Sequence, residues 1–317
     1  SALARLAGYE EFRPDTGGSY TNDIDSYLKK YRLHKAVEMM KNFRNTHKIE
    51  ADDVMTLALQ FECLGDHIVK LDTENNHSIP LNDKETSAFL DALNDFYRQS
   101  DFRKFFDQHS DVYANGILSF YNSVVSHIDP SWYSRFYGTQ PNKDLHIVMG
   151  FASGGNYYRA TRTRQGGPEE IFSIMYYAID NNGRPLYDKS AVGTITEELC
   201  LSFIDIENND VKTMLEKACE NVHRYTREKP IAAVTDKSIM EESLAYASAI
   251  YYLIDNGSSK KSIRKAVDEG IERGFSWTPE LIKRIYYYTE NRKEFPTFAS
   301  FYPEIIEFFK DYTANLG

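Results

Sequence analysis

GTITEELCLSF, residues 193–203, decides how the chain is read. Ile195, Leu199, Phe203 and the nearby Ile206 step by four, four and three residues, which gathers apolar side chains on one face of an α-helix. Thr194 and Glu197 are spaced as a capping box, the Thr oxygen accepting from a first-turn amide while the Glu reaches back. On periodicity alone this is an amphipathic helix over 194–208 that docks its stripe on a core.

Outward from this segment the pattern stays helical downstream, over 210–226, 237–255, 260–273, 279–290 and 303–314. Upstream the chemistry changes. LHIVMGF (145–151) and EIFSIMYYAI (170–179) are strand-like, punctuated by Gly pairs at 154–155 and 166–167 and by DNNGRP (180–185). YYRATRTRQ (157–165) is the densest basic segment and is expected as an exposed edge strand. Residues 85–137 are expected to be helical, with Pro130 as a stop. MTLALQFEC (55–63) places Met55, Leu57, Leu59, Phe61 and Cys63 on alternate positions, the signature of a half-buried strand. Residues 21–43 are expected as one helix with a polar start. Helices, a small strand region and then helices predict an α+β chain, with 1–84 packed on a main domain over 85–317.

Composition excludes several functions. The 317 residues, 42% hydrophobic and 26% charged, can bury a substantial core and do not resemble a disordered chain. A net charge of −10 repels polyanions, so nucleic acid is not an expected partner. The longest nearly uncharged apolar run, LAYASAIYYLI (244–254), is about half of the ~20 residues that a membrane span needs. The chain opens SALARLAGYEEF with neither Met nor an apolar signal core, so a signal peptide is expected to be absent or already removed. Cys63, Cys200 and Cys219 are too few and too far apart for a disulfide framework or a paired-Cys metal knuckle. The 23 Tyr and 19 Phe supply rings for core and for partly wet clefts.

The motif helix invites comparison with the HExxH zinc motif, in which two His four residues apart on one helical face hold the metal beside a general-base Glu. Here the matching residues are Glu197, Glu198, Leu199, Cys200 and Leu201, with neither His present. The surrounding features, in order, are WYSRFYG (132–138), LHIVMGFASGGNY (145–157), EEIFSIMYYAIDNNGRPLYD (169–188), TEELCLSF (196–203), IMEESLAYASAIYYLIDNG (239–257), RGFSWTPELI (273–282) and FPTFASFYPEIIEFFKDY (295–312). In that order they resemble a family of uncharacterised bacterial zincin-like proteins, usually exported, over roughly 85–315.

The resemblance implies a mostly helical zincin-like α+β domain with a small sheet beside the motif helix. It makes Glu197 and Leu201 the positions of the two His zinc ligands, Glu198 the general-base position, and Glu242 the position of a third ligand. With both His absent, the expectation is a pseudo-peptidase without zinc that binds a peptide, protein or glycan in its cleft. The alternative is a metal-dependent hydrolase with a nonstandard ligand set, for which Glu197 and Glu242 suit a hard cation better than zinc. His223 and His146 are weak replacement ligands, and Cys200 sits one step from the ligand face and is expected in the core. GFASGGNYY lacks a phosphate-loop Lys and is expected as a tight turn. No GxSxG elbow occurs, and the Glu197, Glu198, Glu241 and Glu242 carboxylates are too ordinary for a helical chain to signal a glycosidase pair.

Overall fold

The computed structural model describes residues 1–13, 19–74, 79–179, 185–189, 191–204, 206, 213 and 236–314. The fold is α+β, mostly helical with small sheets. Two compact units divide it: Ser1–His127 with Asp144–Ala191, and Ile128–Lys143 with Val192–Gly317.

In the first unit, α1 (Ala2–Ala7), α2 (Ser19–Leu28) and α3 (Lys35–Asn42) precede α4 (Ala51–Ala58). The single helix expected over 21–43 is two helices, parted by a 3₁₀ turn at Lys29–Tyr31 and by an exposed Leu33. His34 restarts the helix, its Nδ1 accepting from the Ala36 amide at 3.1 Å. The strand expected over 55–63 is corrected too, because 51–58 is helical. Glu50 and Asp53 form a reciprocal capping box, and Ala51, Val54, Met55 and Leu57 fill a buried helical face. Alternation over a short apolar run also fits a helix, and here the cap decides. Only Phe61 and Cys63 of that run are in a strand, β1 (Phe61–Leu64), which pairs antiparallel with β2 (His67–Lys70).

The helical stretch expected from 85 is borne out by α5 (Asp83–Ser100), α6 (Phe102–Gln108), α7 (Ser110–Ser123) and α8 (Pro130–Tyr137), α8 belonging to the second unit. Pro130 opens α8 at its first turn behind the Asp129 cap, which corrects the expected stop, since α7 already ends at Ser123 and the 3₁₀ turn after it at His127. The strand region is a three-stranded sheet ordered β3 (Lys143–Met149), β5 (Glu169–Met175), β4 (Tyr158–Thr163). β4 lies at the expected edge, antiparallel to β5 from Tyr158↔Ile174 to Thr163↔Glu169, but it is not exposed, because Tyr158, Ala160 and Arg162 are buried on alternate positions. Gly154 and Gly155 turn the chain with positive φ (77° and 78°), and a side chain at Gly154 would collide with the Glu11 backbone. Short strands β6 (Ala178–Ile179) and β7 (Pro185–Leu186) pair antiparallel.

The second unit is helical: α8, then α9 (Ala191–Phe203) from Val192, α10 (Asp236–Asp255), α11 (Lys260–Glu272), α12 (Thr278–Glu290) and α13 (Tyr302–Ala314). The expected helix over 210–226, with His223 and Cys219, lies outside the described residues, as does most of DNNGRP. α8 supplies the aromatic core. Tyr133 stacks on both Phe203 of α9 and Tyr252 of α10, with ring centroids 6.2 and 5.5 Å away. Trp132 donates its indole N–H to Asp255 at 2.8 Å, and Tyr288 donates to the Phe136 carbonyl at 2.6 Å. Among the described residues no helix is long and apolar enough to cross a membrane.

Candidate functional site

α9 begins at Ala191, which places Thr194 inside the helix and corrects the capping-box expectation. Freed from that role, Glu197 turns its carboxylate to another helix. Arg273, the residue that closes α11, donates Nη1 to Glu197 Oε2 at 2.9 Å and Nη2 to Oε1 at 2.8 Å. This two-pronged match of planar fork to carboxylate is the strongest geometry available to an ion pair. Glu197 is 13% exposed and Arg273 38% exposed, so the pair is sheltered on the carboxylate side and wetter on the guanidinium side.

Aromatic rings hold the guanidinium in place. It lies 4.5 Å from the Tyr246 ring and 5.3 Å from Phe275, where the π faces favour a cation. Tyr246 belongs to α10, one turn beyond Glu242, and donates its hydroxyl to the Ala266 carbonyl of α11 at 2.8 Å. Gly270 allows that approach, since a β-carbon there would lie 2.6 Å from the Tyr246 ring. Burial works against the Arg273 charge, but its hydrogen bonds to Glu197 and the charges of Glu197, Tyr246 and Glu242 outweigh it and raise its pKa. Burial, opposed by Arg273, pushes the Tyr246 phenol up to about 12.

Two of the four site positions thus bear on one cation: Glu197 by direct hydrogen bonds and Glu242 through its charge. The other two are buried, Glu198 at 3% and Leu201 at 6% exposure. Cys200 is fully buried, as expected, and burial pushes its thiol well above the usual range. Glu241 faces Lys143 at 3.6 Å. Among the described residues, no three His, Cys, Asp or Glu side chains form a group that could hold a metal ion. His146, in the first unit, pairs with Glu170 at 3.1 Å and stacks on Phe172. Glu170 also accepts from Arg162 at 2.7 and 2.9 Å and from Arg164 at 3.4 Å, so three basic side chains of that region are committed to an internal carboxylate.

Chemically, a guanidinium resembles a metal ion in sign only. It has no vacant orbital for a carbonyl oxygen or a water, and it keeps its proton throughout the working pH range. Sequence reasoning missed Arg273. No local pattern ties an Arg at a helix end to a Glu 76 residues earlier.

Residues 4–308 match the model of a family described as a domain of unknown function (DUF4932). No curated protein and no solved structure matches the chain.

Proposed function

For a chain that belongs to the DUF4932 family over nearly its whole length, we propose a zincin-like metallopeptidase homologue in which a protein cation has taken the place of the catalytic metal. The observation that carries this reading is the Arg273 fork on Glu197, with the Glu242 charge also acting on Arg273. In the proposed ancestry, Glu197 and Leu201 stand at the two lost His positions, Glu198 at the general-base position and Glu242 at the third-ligand position. Removing a divalent cation from between carboxylates leaves like charges facing each other, and Arg273 relieves that repulsion without restoring Lewis acidity.

The function is then recognition without cleavage, with a peptide, protein or glycan held in the former substrate cleft of an exported bacterial protein. A surviving hydrolase with a carboxylate ligand set would need Arg273 to leave before a cation could enter, because both would claim the Glu197 oxygens. The test is elemental analysis of purified protein, together with melting curves in chelator and in excess zinc. The proposal expects no stoichiometric zinc and melting temperatures equal within error. About one zinc per chain, or a melt lowered by chelator, would overturn it, since a metal bound only by the native state adds to folding stability.

A further inference from the structure

The first unit contains a cavity of about 1060 Å³, at the top of the range for small-molecule sites. Among the described residues that line it there is no Asp, Glu, Lys, Arg or His. Its walls come from α2, α4, α5, α7 and the end of β3, through side chains such as Ile24, Met55, Phe96, Phe120 and Phe151. Most of the polar side-chain groups on the described wall already have partners. Tyr20 and Tyr113 share a hydrogen bond at 3.0 Å, and the Tyr97 hydroxyl and Cys63 thiol both donate to the Gly65 carbonyl. Several lining side chains are nonetheless open to solvent: Ile117 at 60%, Tyr121 at 55% and Phe106 at 49%. So much apolar surface facing an open cavity marks a ligand site.

We propose that this cavity binds the hydrocarbon tail of a single-chain amphiphile and leaves its polar head in solvent. A rigid or polar ligand needs a few fixed donors or acceptors to orient it, and most of those on the described wall are already committed. A charged head inside would lose its hydration with no counter-charge to compensate. A flexible alkyl chain needs only area. The inference is independent of the Arg273 site, which lies in the other unit.

The test is displacement of 11-(dansylamino)undecanoic acid from the full chain by saturated fatty acids of increasing length, each below its micelle concentration. A lysophosphatidylcholine series runs in parallel to separate the tail from the head. Affinity should rise about tenfold for every two methylenes until the tail fills the cavity, and rise equally in both series. Ala58→Phe projects a ring from a solvent-exposed lining position and should weaken binding of the longest tail at least tenfold, with Ala152→Leu as the second plug should the first not fold. Failure to saturate, affinity independent of chain length, dependence on one head group, or parent-like binding by a folded plug variant would each refute the proposal.

Discussion

Breaking the Arg273–Glu197 pair is the perturbation whose size follows most directly from the structure. Arg273→Met keeps much of the apolar stem but removes two charge-assisted hydrogen bonds, 2.8 and 2.9 Å long, and the ring contacts at Tyr246 and Phe275. A hydrogen bond to a charged group contributes about 1.5–3 kcal/mol when sheltered, but an exposed pair contributes about 0–1 kcal/mol. Arg273 is 38% exposed and Glu197 13%, which places the pair between these limits, near ~1–2 kcal/mol. A cation–π contact adds about 0.5–1 kcal/mol. The total expected for Arg273→Met is about 1.5–3 kcal/mol, much of it from a sheltered Glu197 carboxylate left without its counter-charge. The assay is a double-mutant cycle by urea unfolding with Glu197→Gln, which removes the charge from the other side. The double variant should be less destabilised than the sum of the singles, with a coupling of about 1–2 kcal/mol. A coupling indistinguishable from zero would mean that the fork is a loose surface contact, and the charge-replacement argument would fail.

Other expectations can be checked on the same protein. Glu170 has its pKa lowered, chiefly by the Arg162 hydrogen bond against the opposing effect of burial. Its stabilisation should therefore be complete above the ordinary Glu range and lost as pH falls through that range to the depressed native value; Glu170→Gln should flatten this part of the stability–pH curve and cost about 1–3 kcal/mol at neutral pH. Gly270→Ala should destabilise by about 1–3 kcal/mol despite the better helix former, because the added carbon meets the Tyr246 ring; a more stable variant would show that the ring moves freely. Native alkylation mapped by mass spectrometry should modify exposed Cys63 and spare Cys200, whose thiol is buried and raised; prompt labelling of Cys200 would contradict its core placement.

Long periodic segments were legible from sequence because burial enforces their period. The helices around 85–137, 237–255, 260–273, 279–290 and 303–314, the strands near 145 and 170, and the edge strand at 158–163 all fall where patterning puts them. Short apolar runs were not. Over 55–63, period two and period 3.6 fit equally well, and the Glu50–Asp53 cap settles the helix from outside the run. The 21–43 segment keeps helical composition across Leu33, where a 3₁₀ turn and the His34 cap break the helix. Glu197 reads as a cap in sequence, whereas its partner is a distant cation. The apolar cavity was invisible for a related reason: residues on α4, α5 and α7 look like core in sequence, and only the assembled fold shows that no side chain fills the space between them.

The central claim is that Arg273 stands where a metal would, and zinc titration by calorimetry tests it most directly. Glu197→His with Leu201→His places two imidazoles one helical turn apart, with Glu198 and Glu242 as the proposed base and third ligand, but leaves the Arg273 cation in place. Adding Arg273→Met removes that cation. The account predicts negligible zinc affinity in the parent, weak affinity in the double variant and at least tenfold tighter binding in the triple variant, with one zinc per chain. Equal affinity in double and triple variants would show that Arg273 does not compete for the metal position. Negligible binding in both would show that these positions never formed a ligand set.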